Sequence, residues 1–135
     1  MTSVVSDVHG AFDALARVAA RSDRVLVLGD LANLIDYRTN AGILADIVGR
    51  DVVGELVALR MTDPEAARNA WRTVAAELDL DLRAGIRDGL EATYRDMERI
   101  VGAVESCELL VIHGNVDDPL TLRSHLPVSM RWVQG

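Results

Sequence analysis

Three short runs of β-branched and leucine residues predict buried β-strands, and a fourth run predicts one more near the end of the chain. The runs span 2–6, 24–28 and 108–113, followed by 130–133. The first three are continuous rather than alternating, which is typical of strands covered on both faces of a parallel sheet. The pattern therefore predicts an α/β fold with a parallel-sheet core and flanking helices.

Apolar residues at helical spacing predict that helices connect these strands. Residues 11–21 carry such a face and would join the first two strands as a β-α-β unit. Residues 36–106 are predicted to form a long helical insertion. At 135 residues, the chain is expected to be one domain, 1–135, with this insertion inside it.

Capping signals divide the insertion into several helices. Gly49 is predicted to end the first helix, and Asp51 is predicted to cap the next. Asp63 and Pro64 are predicted to start a third helix that buries Trp71. The apolar stripe of the last helix comprises Leu90, Tyr94, Met97, Val101 and Val104. We predict that the tyrosine and the methionine of this stripe pack in the core rather than line a ligand pocket.

Composition and charge exclude several classes of protein. Half of the residues are hydrophobic, which excludes a disordered chain. The net charge of -7 argues against a nucleic-acid partner, because such a partner normally requires a basic patch. No stretch approaches membrane-spanning length, so no membrane partner is expected. Cys107 is the single cysteine, which excludes an internal disulfide and predicts a reducing, cytoplasmic location.

Polar side chains follow three of the predicted strands at the point where each strand ends. Asp7 and His9 follow the first, Asp30 the second and Asn115 the third, with Asp117 just beyond. Because the carboxyl ends of parallel strands meet at one edge of a sheet, we expect these groups to converge where ligands bind. Such a ligand set suits Mn²⁺, Fe or Zn²⁺. Two converging carboxylates would repel each other unless a cation lay between them.

Three segments in this order, DVHG, GDLAN and GNVDD, resemble the first three sequence blocks of the calcineurin-like metallophosphoesterases. The resemblance implies the first half of that family's αββα sandwich. It also implies hydrolysis of a small phosphomonoester or phosphodiester by two divalent metals with a bridging hydroxide. Mn²⁺ is the expected metal, with Fe, Zn²⁺ or Ni²⁺ as alternatives.

The resemblance implies a role for each residue that matches the family's blocks. The implied metal ligands are Asp7 and His9 for one ion, Asp30 as a bridge, and Asn115 for the second ion. Two further residues are implied as catalytic. Asn33 would support the site or position the substrate, and Asp117 stands at the acid position of the third block.

The chain departs from the family's pattern in three places. Val116 stands where many members carry a histidine after GN. The segment between the second and third blocks is longer and more helical than in compact members, and would form a cap or a partner surface. The family's later GH and GH-x-H blocks are absent from the sequence. These departures predict a C-terminally incomplete domain, weak or absent activity of this chain alone, and self-association.

The same departures keep a second class of function open. The chain would then be a non-catalytic member of the fold that works as a binding or scaffold module. Other polar residues near the strand ends are predicted to be structural. Asp118 precedes Pro119 and is expected to cap a helix. His113 and His125 are expected to be structural residues rather than metal ligands.

Overall fold

A four-stranded parallel sheet forms the centre of the computed structural model, which describes residues 1–77 and 81–133. The strands are β1 Thr2–Val5, β2 Arg24–Val27, β3 Glu108–Val111 and β4 Met130–Trp132. Each strand pairs with the next one along the chain, in the order β1-β2-β3-β4. The predicted α/β class with a parallel core is confirmed. All four strands therefore end at the same edge of the sheet.

In the described part of the chain, six helices lie in the segments that connect one strand to the next. They are α1 Phe12–Ala19, α2 Ile43–Val48, α3 Arg50–Thr62, α4 Pro64–Glu77, α5 Leu82–Val101 and α6 Pro119–Ser124. The α1 helix is shorter at both ends than the predicted segment 11–21. The α5 helix begins well before Leu90, where the predicted apolar stripe starts. Tyr94 and Met97 on α5 are fully buried, which confirms their predicted place in the core.

The helix boundaries confirm two of the predicted capping signals and overturn one. Gly49 ends α2 as predicted, but it is also the residue that caps α3. Asp51 lies inside the first turn of α3, where its charge suits the helix dipole, so its predicted capping role is wrong. The Asp63 carboxylate accepts the N–H of Ala66 at 3.0 Å, and Pro64 is the first residue of α4.

The face of α4 that was predicted to be buried is only partly covered. Ala67 is its one buried position within the described residues, whereas Trp71 is half-buried. Trp71 packs against a small core of Leu44, Ala45 and Val53. Leu78, which was also predicted to lie on this face, falls outside the described residues.

The chain divides into two compact units. One unit combines Met1–Asn33 with Leu90–Gly135, and the other is Leu34–Gly89. The first unit contains the sheet, α1, α6 and the larger part of α5. The second unit is helical and overlaps the predicted insertion 36–106. From Leu90 onward, however, that predicted insertion belongs to the unit that contains the sheet.

One face of the sheet is buried and the other is open. Alternate residues of the two central strands form the buried face, namely Val25, Val27, Leu109 and Val111. The residues between them are half-buried or exposed, and Val4 on the edge strand is 59% exposed. The prediction that the strands are covered on both faces is therefore wrong for the described residues. The continuous apolar runs therefore place hydrophobic side chains on a face that is partly exposed to solvent.

Candidate metal site at the carboxyl edge of the sheet

The turns after β1 and β2 hold three polar residues in a backbone conformation that L-residues rarely adopt. The φ angles of Asp7, His9 and Asp30 are 52°, 45° and 52°, which lie in the left-handed region. Two backbone hydrogen bonds join the turns, from His9 N to Asp30 O and from Gly10 N to Leu31 O, each 2.8 Å long. A left-handed conformation of a non-glycine residue costs free energy and is concentrated at functional sites.

These two turns bring together three of the predicted metal ligands. One ligand atom each from Asp7, His9 and Asp30 lies within 4.8 Å of the other two. His9 Nε2 is 3.5 Å from Asp7 Oδ1. Ligands bound at about 2.0–2.3 Å to a single ion lie about 3–4.5 Å apart, so the cluster fits one cation after small side-chain movements.

The hydrogen bonds of His9 leave one ring nitrogen directed toward the cluster. Its Nδ1 lies 2.9 Å from the backbone oxygen of Ala32, which can only accept a hydrogen bond. Nδ1 therefore carries a proton, and Nε2 is the nitrogen that lies near Asp7. A neutral His9 presents a lone pair from Nε2, as metal-binding histidines do when a carbonyl holds the other nitrogen.

Asn115 is the predicted ligand that follows β3, and it lies against Asp30. With the amide nitrogen turned toward Asp30, Asn115 donates to both carboxylate oxygens at 3.0 and 3.2 Å. With the amide turned over, its oxygen faces the same two oxygens, an arrangement that a cation between them would stabilise. Asp30 also accepts the backbone N–H of Val116 at 3.3 Å. Asn115 is therefore next to Asp30, which is itself grouped with Asp7 and His9.

Two glycines allow the ends of β2 and β3 to approach each other. Gly29 has a φ of +92°, and a methyl group on it would overlap the backbone of Gly114. A methyl group on Gly114 would in turn overlap the carboxylate of Asp30. A side chain at either position would therefore separate the segments that carry Asp30 and Asn115.

Asp117 does not join the cluster, and its place does not fit the predicted catalytic role. The residue is only 9% exposed. Its carboxylate accepts the backbone N–H groups of Leu31, Ala32 and Gly114 at distances between 2.9 and 3.2 Å. These bonds connect the turn after β2 to the turn after β3. Asp117 is therefore a positioning residue for the segments that hold the candidate ligands.

Tyr94 on α5 completes the hydrogen bonding of Asp117. Its hydroxyl donates to Asp117 Oδ1 at 3.0 Å and accepts the backbone N–H of Asp118 at 3.1 Å. Burial, followed by the negative charge of Asp117, raises the pKa of Tyr94 well above its usual range. Sequence reasoning missed this link, because the apolar spacing of α5 predicts only that the ring is buried. The hydroxyl's need for a buried partner is the signal that could have indicated it.

The remaining polar residues near the strand ends have other neighbours. Asn33, predicted as catalytic, is half-buried beside Gly10. Asp118 caps α6 by accepting the N–H of Thr121 at 3.2 Å, as predicted. His113 stacks on Trp132 with 5.7 Å between ring centroids, and His125 lies 3.2 Å from Glu98. The grouped ligands found among the described residues therefore include a single histidine, His9.

Comparisons with protein-family models, with curated proteins and with solved structures found no match to this chain. No helix within residues 1–77 and 81–133 is long and apolar enough to cross a membrane.

Proposed function

We propose that the carboxyl edge of the sheet binds divalent metal and that the chain belongs to a phosphate-ester hydrolase. One observation carries the metal site. Two strained turns bring Asp7, His9 and Asp30 within 4.8 Å of one another, although each of the three adopts an unfavourable left-handed backbone. The proposed hydrolase function rests in addition on the resemblance of the three strand-end segments to the calcineurin-like metallophosphoesterases.

The donor set and its charge fit a divalent cation. Carboxylate oxygens, an imidazole nitrogen and a carboxamide oxygen suit Mn²⁺, and also Fe, Zn²⁺ or Ni²⁺. Within the described residues, no arginine forms an ion pair with Asp7 or Asp30. Among the described residues, no arginine therefore neutralises the negative charge of Asp7 and Asp30. A bound cation would relieve the repulsion between the two carboxylates.

The protein's own contribution to the chemistry is the orientation of these ligands. The Ala32 carbonyl fixes the tautomer of His9, and the Val116 N–H holds one oxygen of Asp30. Divalent metals bound there would act as Lewis acids on a phosphoryl group and lower the pKa of coordinated water. We propose that Asn33, half-buried beside Gly10, contacts the substrate or supports the site.

The number of ligands favours weak activity for this chain alone. Four side chains fill most of one cation's coordination shell and only part of a second shell. His113 and His125, which could add imidazole ligands, have other partners in the described structure. The same observation favours the second candidate, a metal-binding module of this fold without catalysis.

Hydrolysis of bis-p-nitrophenyl phosphate with added Mn²⁺ tests the proposed activity. We expect slow turnover that exceeds the rate with Mn²⁺ alone and that Asp30→Asn abolishes. Asp13→Asn is the matched control, because Asp13 is an exposed acid in the first turn of α1. Turnover that Asp30→Asn leaves unchanged would contradict the hydrolase proposal. Metal binding without turnover would favour the non-catalytic module.

A further inference from the structure

The open face of the sheet carries a continuous apolar patch. Val4, Leu26 and Leu110 lie side by side on β1, β2 and β3, and the register places Arg131 of β4 beside them. Val4 is 59% exposed, and its two neighbours are only half-buried. These side chains share one face of the sheet, because residues in register on neighbouring strands point to the same side.

The patch continues for one more row beyond the strands. Backbone hydrogen bonds from Leu28 to Val5, Ile112 to Val27 and Val133 to Val111 extend the ladder at 2.8–3.1 Å. The alternation of side chains therefore continues, and Leu28 and Val133 are 49% and 50% exposed. Aliphatic side chains thus occupy two rows of this face, on β1 to β3 in the first row and beyond β2, β3 and β4 in the second. Such a contiguous patch on a sheet marks an interaction surface.

A row of alternating charges borders the patch at its other end. Arg24 and Glu108 are in register on β2 and β3, with Arg24 Nε 2.7 Å from Glu108 Oε2. Arg131 reaches the other oxygen of Glu108 at 3.1 Å. All three side chains are partly or largely exposed. On the open face, a basic group of β2, an acidic group of β3 and a basic group of β4 are therefore neighbours.

We propose that this face binds the same face of a second copy of the chain. A two-fold axis parallel to the strands would place β2 of one copy opposite β3 of the other. Arg24 would then face Glu108 of the second copy, and this contact would occur twice by symmetry. The same operation would place Leu26 opposite Leu110. The two central strands are thus complementary to themselves in both charge and hydrophobicity, whereas Arg131 of β4 would lie opposite Val4 at the edge. The match at the centre favours a second copy over an unrelated partner.

The size of the face sets the expected strength of the dimer. With a strand spacing of about 4.8 Å and a rise of about 3.3 Å per residue, the patch covers about 300–400 Å² per copy as a flat area. Side-chain relief increases the accessible area that is buried, but the total stays at the low end for specific interfaces. We therefore expect a weak dimer, with a dissociation constant on the order of 10–100 µM. With each sheet turned about 15° from the two-fold axis, the two sheets would cross at about -30°, and the central strands would make the closest contacts.

Sedimentation equilibrium of charge-reversed variants tests this arrangement. In Arg24→Glu, the introduced acid would face Glu108 of the second copy, and we expect the dissociation constant to rise at least tenfold. In Glu108→Arg, the introduced base would face Arg24, with the same expected loss. An equimolar mixture of the two variants would form a heterodimer with two opposite-charge contacts. We expect this mixture to regain the affinity of the unmodified chain to within about threefold.

The design separates association from folding. Each variant loses the Arg24–Glu108 pair within its own copy, and Glu108→Arg also loses the pair with Arg131, so these losses affect the monomer and the dimer alike. Far-UV circular dichroism of each variant checks that the sheet is retained. Arg95→Glu is the matched control, because Arg95 is also an exposed arginine paired with a glutamate, at 2.6 Å from Glu91 on α5. Its dissociation constant should stay unchanged.

Three results would overturn the proposal. The first is a chain that stays monomeric up to millimolar concentration. The second is a dimer whose affinity Arg24→Glu does not change. The third is a mixture of the two charge-reversed variants that associates no better than either variant alone. Metal binding plays no part in this contact, so the result stands apart from the proposed hydrolase activity.

Discussion

The Tyr94 hydroxyl donates a hydrogen bond of 3.0 Å to Asp117, whose carboxylate also accepts the backbone N–H groups of Leu31 and Ala32. A helix is thereby connected to the turn that follows β2. The third backbone donor to Asp117 is Gly114, in the turn after β3. One buried carboxylate therefore fixes the relative position of the two turns that carry Asp30 and Asn115. The site depends on this connection as much as on its own ligands.

Replacement of Asp117 should destabilise the fold and weaken metal binding together. In Asp117→Ala, three backbone N–H groups and the Tyr94 hydroxyl lose their acceptor. We expect a loss of about 3–5 kcal/mol in the free energy of unfolding, because unsatisfied buried donors are costly. Urea denaturation measures this loss, and calorimetric titration with Mn²⁺ measures the affinity. A variant as stable as the unmodified chain would contradict the positioning role.

Tyr94→Phe is the milder test of the same connection. The substitution keeps the buried ring and removes one donor to Asp117 and one acceptor for the Asp118 N–H. We expect a loss of about 1–3 kcal/mol in the free energy of unfolding. Tyr37→Phe serves as the control, since Tyr37 is 61% exposed. Equal effects of the two substitutions would show that burial of the Tyr94 hydroxyl contributes nothing to the free energy of unfolding.

The raised pKa of Tyr94 predicts a loss of stability in alkali. In the unfolded chain a tyrosine ionises near pH 10, whereas folded Tyr94 keeps its proton above that pH. Below pH 10 both states hold the proton, so this group gives no pH dependence. Above pH 10 only the unfolded state loses the proton, and stability falls by up to about 1.4 kcal/mol per pH unit.

Urea denaturation between pH 9 and about 11 measures this slope. The sequence contains no lysine, so lysine ionisation does not contribute in this range. Tyr94→Phe should reduce the loss of stability per pH unit. The absorbance of this variant at alkaline pH should lack the tyrosinate signal that appears together with unfolding. A slope that is the same in both proteins would contradict the burial of this hydroxyl.

Gly114→Ala should abolish metal binding by crowding one ligand. The added methyl group would overlap the Asp30 carboxylate and force it out of place. Gly49→Ala is the control, because its added methyl group would contact nothing within 4 Å, although Gly49 has a positive φ. Gly49→Ala carries the strain of a positive φ and Gly114→Ala carries the overlap with Asp30, so only Gly114→Ala should lose its response to Mn²⁺. Equal responses would contradict the close approach of the turns after β2 and β3.

The sequence predicted the parts of the fold that depend on local patterns. Three continuous apolar runs and the run 130–133 located the four strands, and the Asp63–Pro64 pair located the start of α4. Glycine and polar residues after each run located the candidate ligands at one edge of the sheet. These features depend on neighbours in the sequence or on the common direction of parallel strands. One amino-acid sequence is therefore enough to predict them.

The features that the sequence did not predict depend on distant contacts. Whether a sheet face is covered depends on distant parts of the chain, and an apolar strand has the same sequence pattern in either case. Asp117 was predicted as catalytic because of its place after GNV, whereas its role depends on Leu31 and on Tyr94 of α5. Asp51 was predicted to cap α3, but Gly49 already occupies that position.

Calorimetric titration of the chain with Mn²⁺ tests the central claim most directly. We predict saturable binding to the unmodified chain, and at about one hundred times the dissociation constant a rise in melting temperature of roughly 10 °C. Asp30→Asn should remove both effects, because Asp30 lies next to the three other candidate ligands, while Asp13→Asn should keep both. Identical titration and melting curves for the unmodified chain and Asp30→Asn would contradict the metal site at this edge of the sheet.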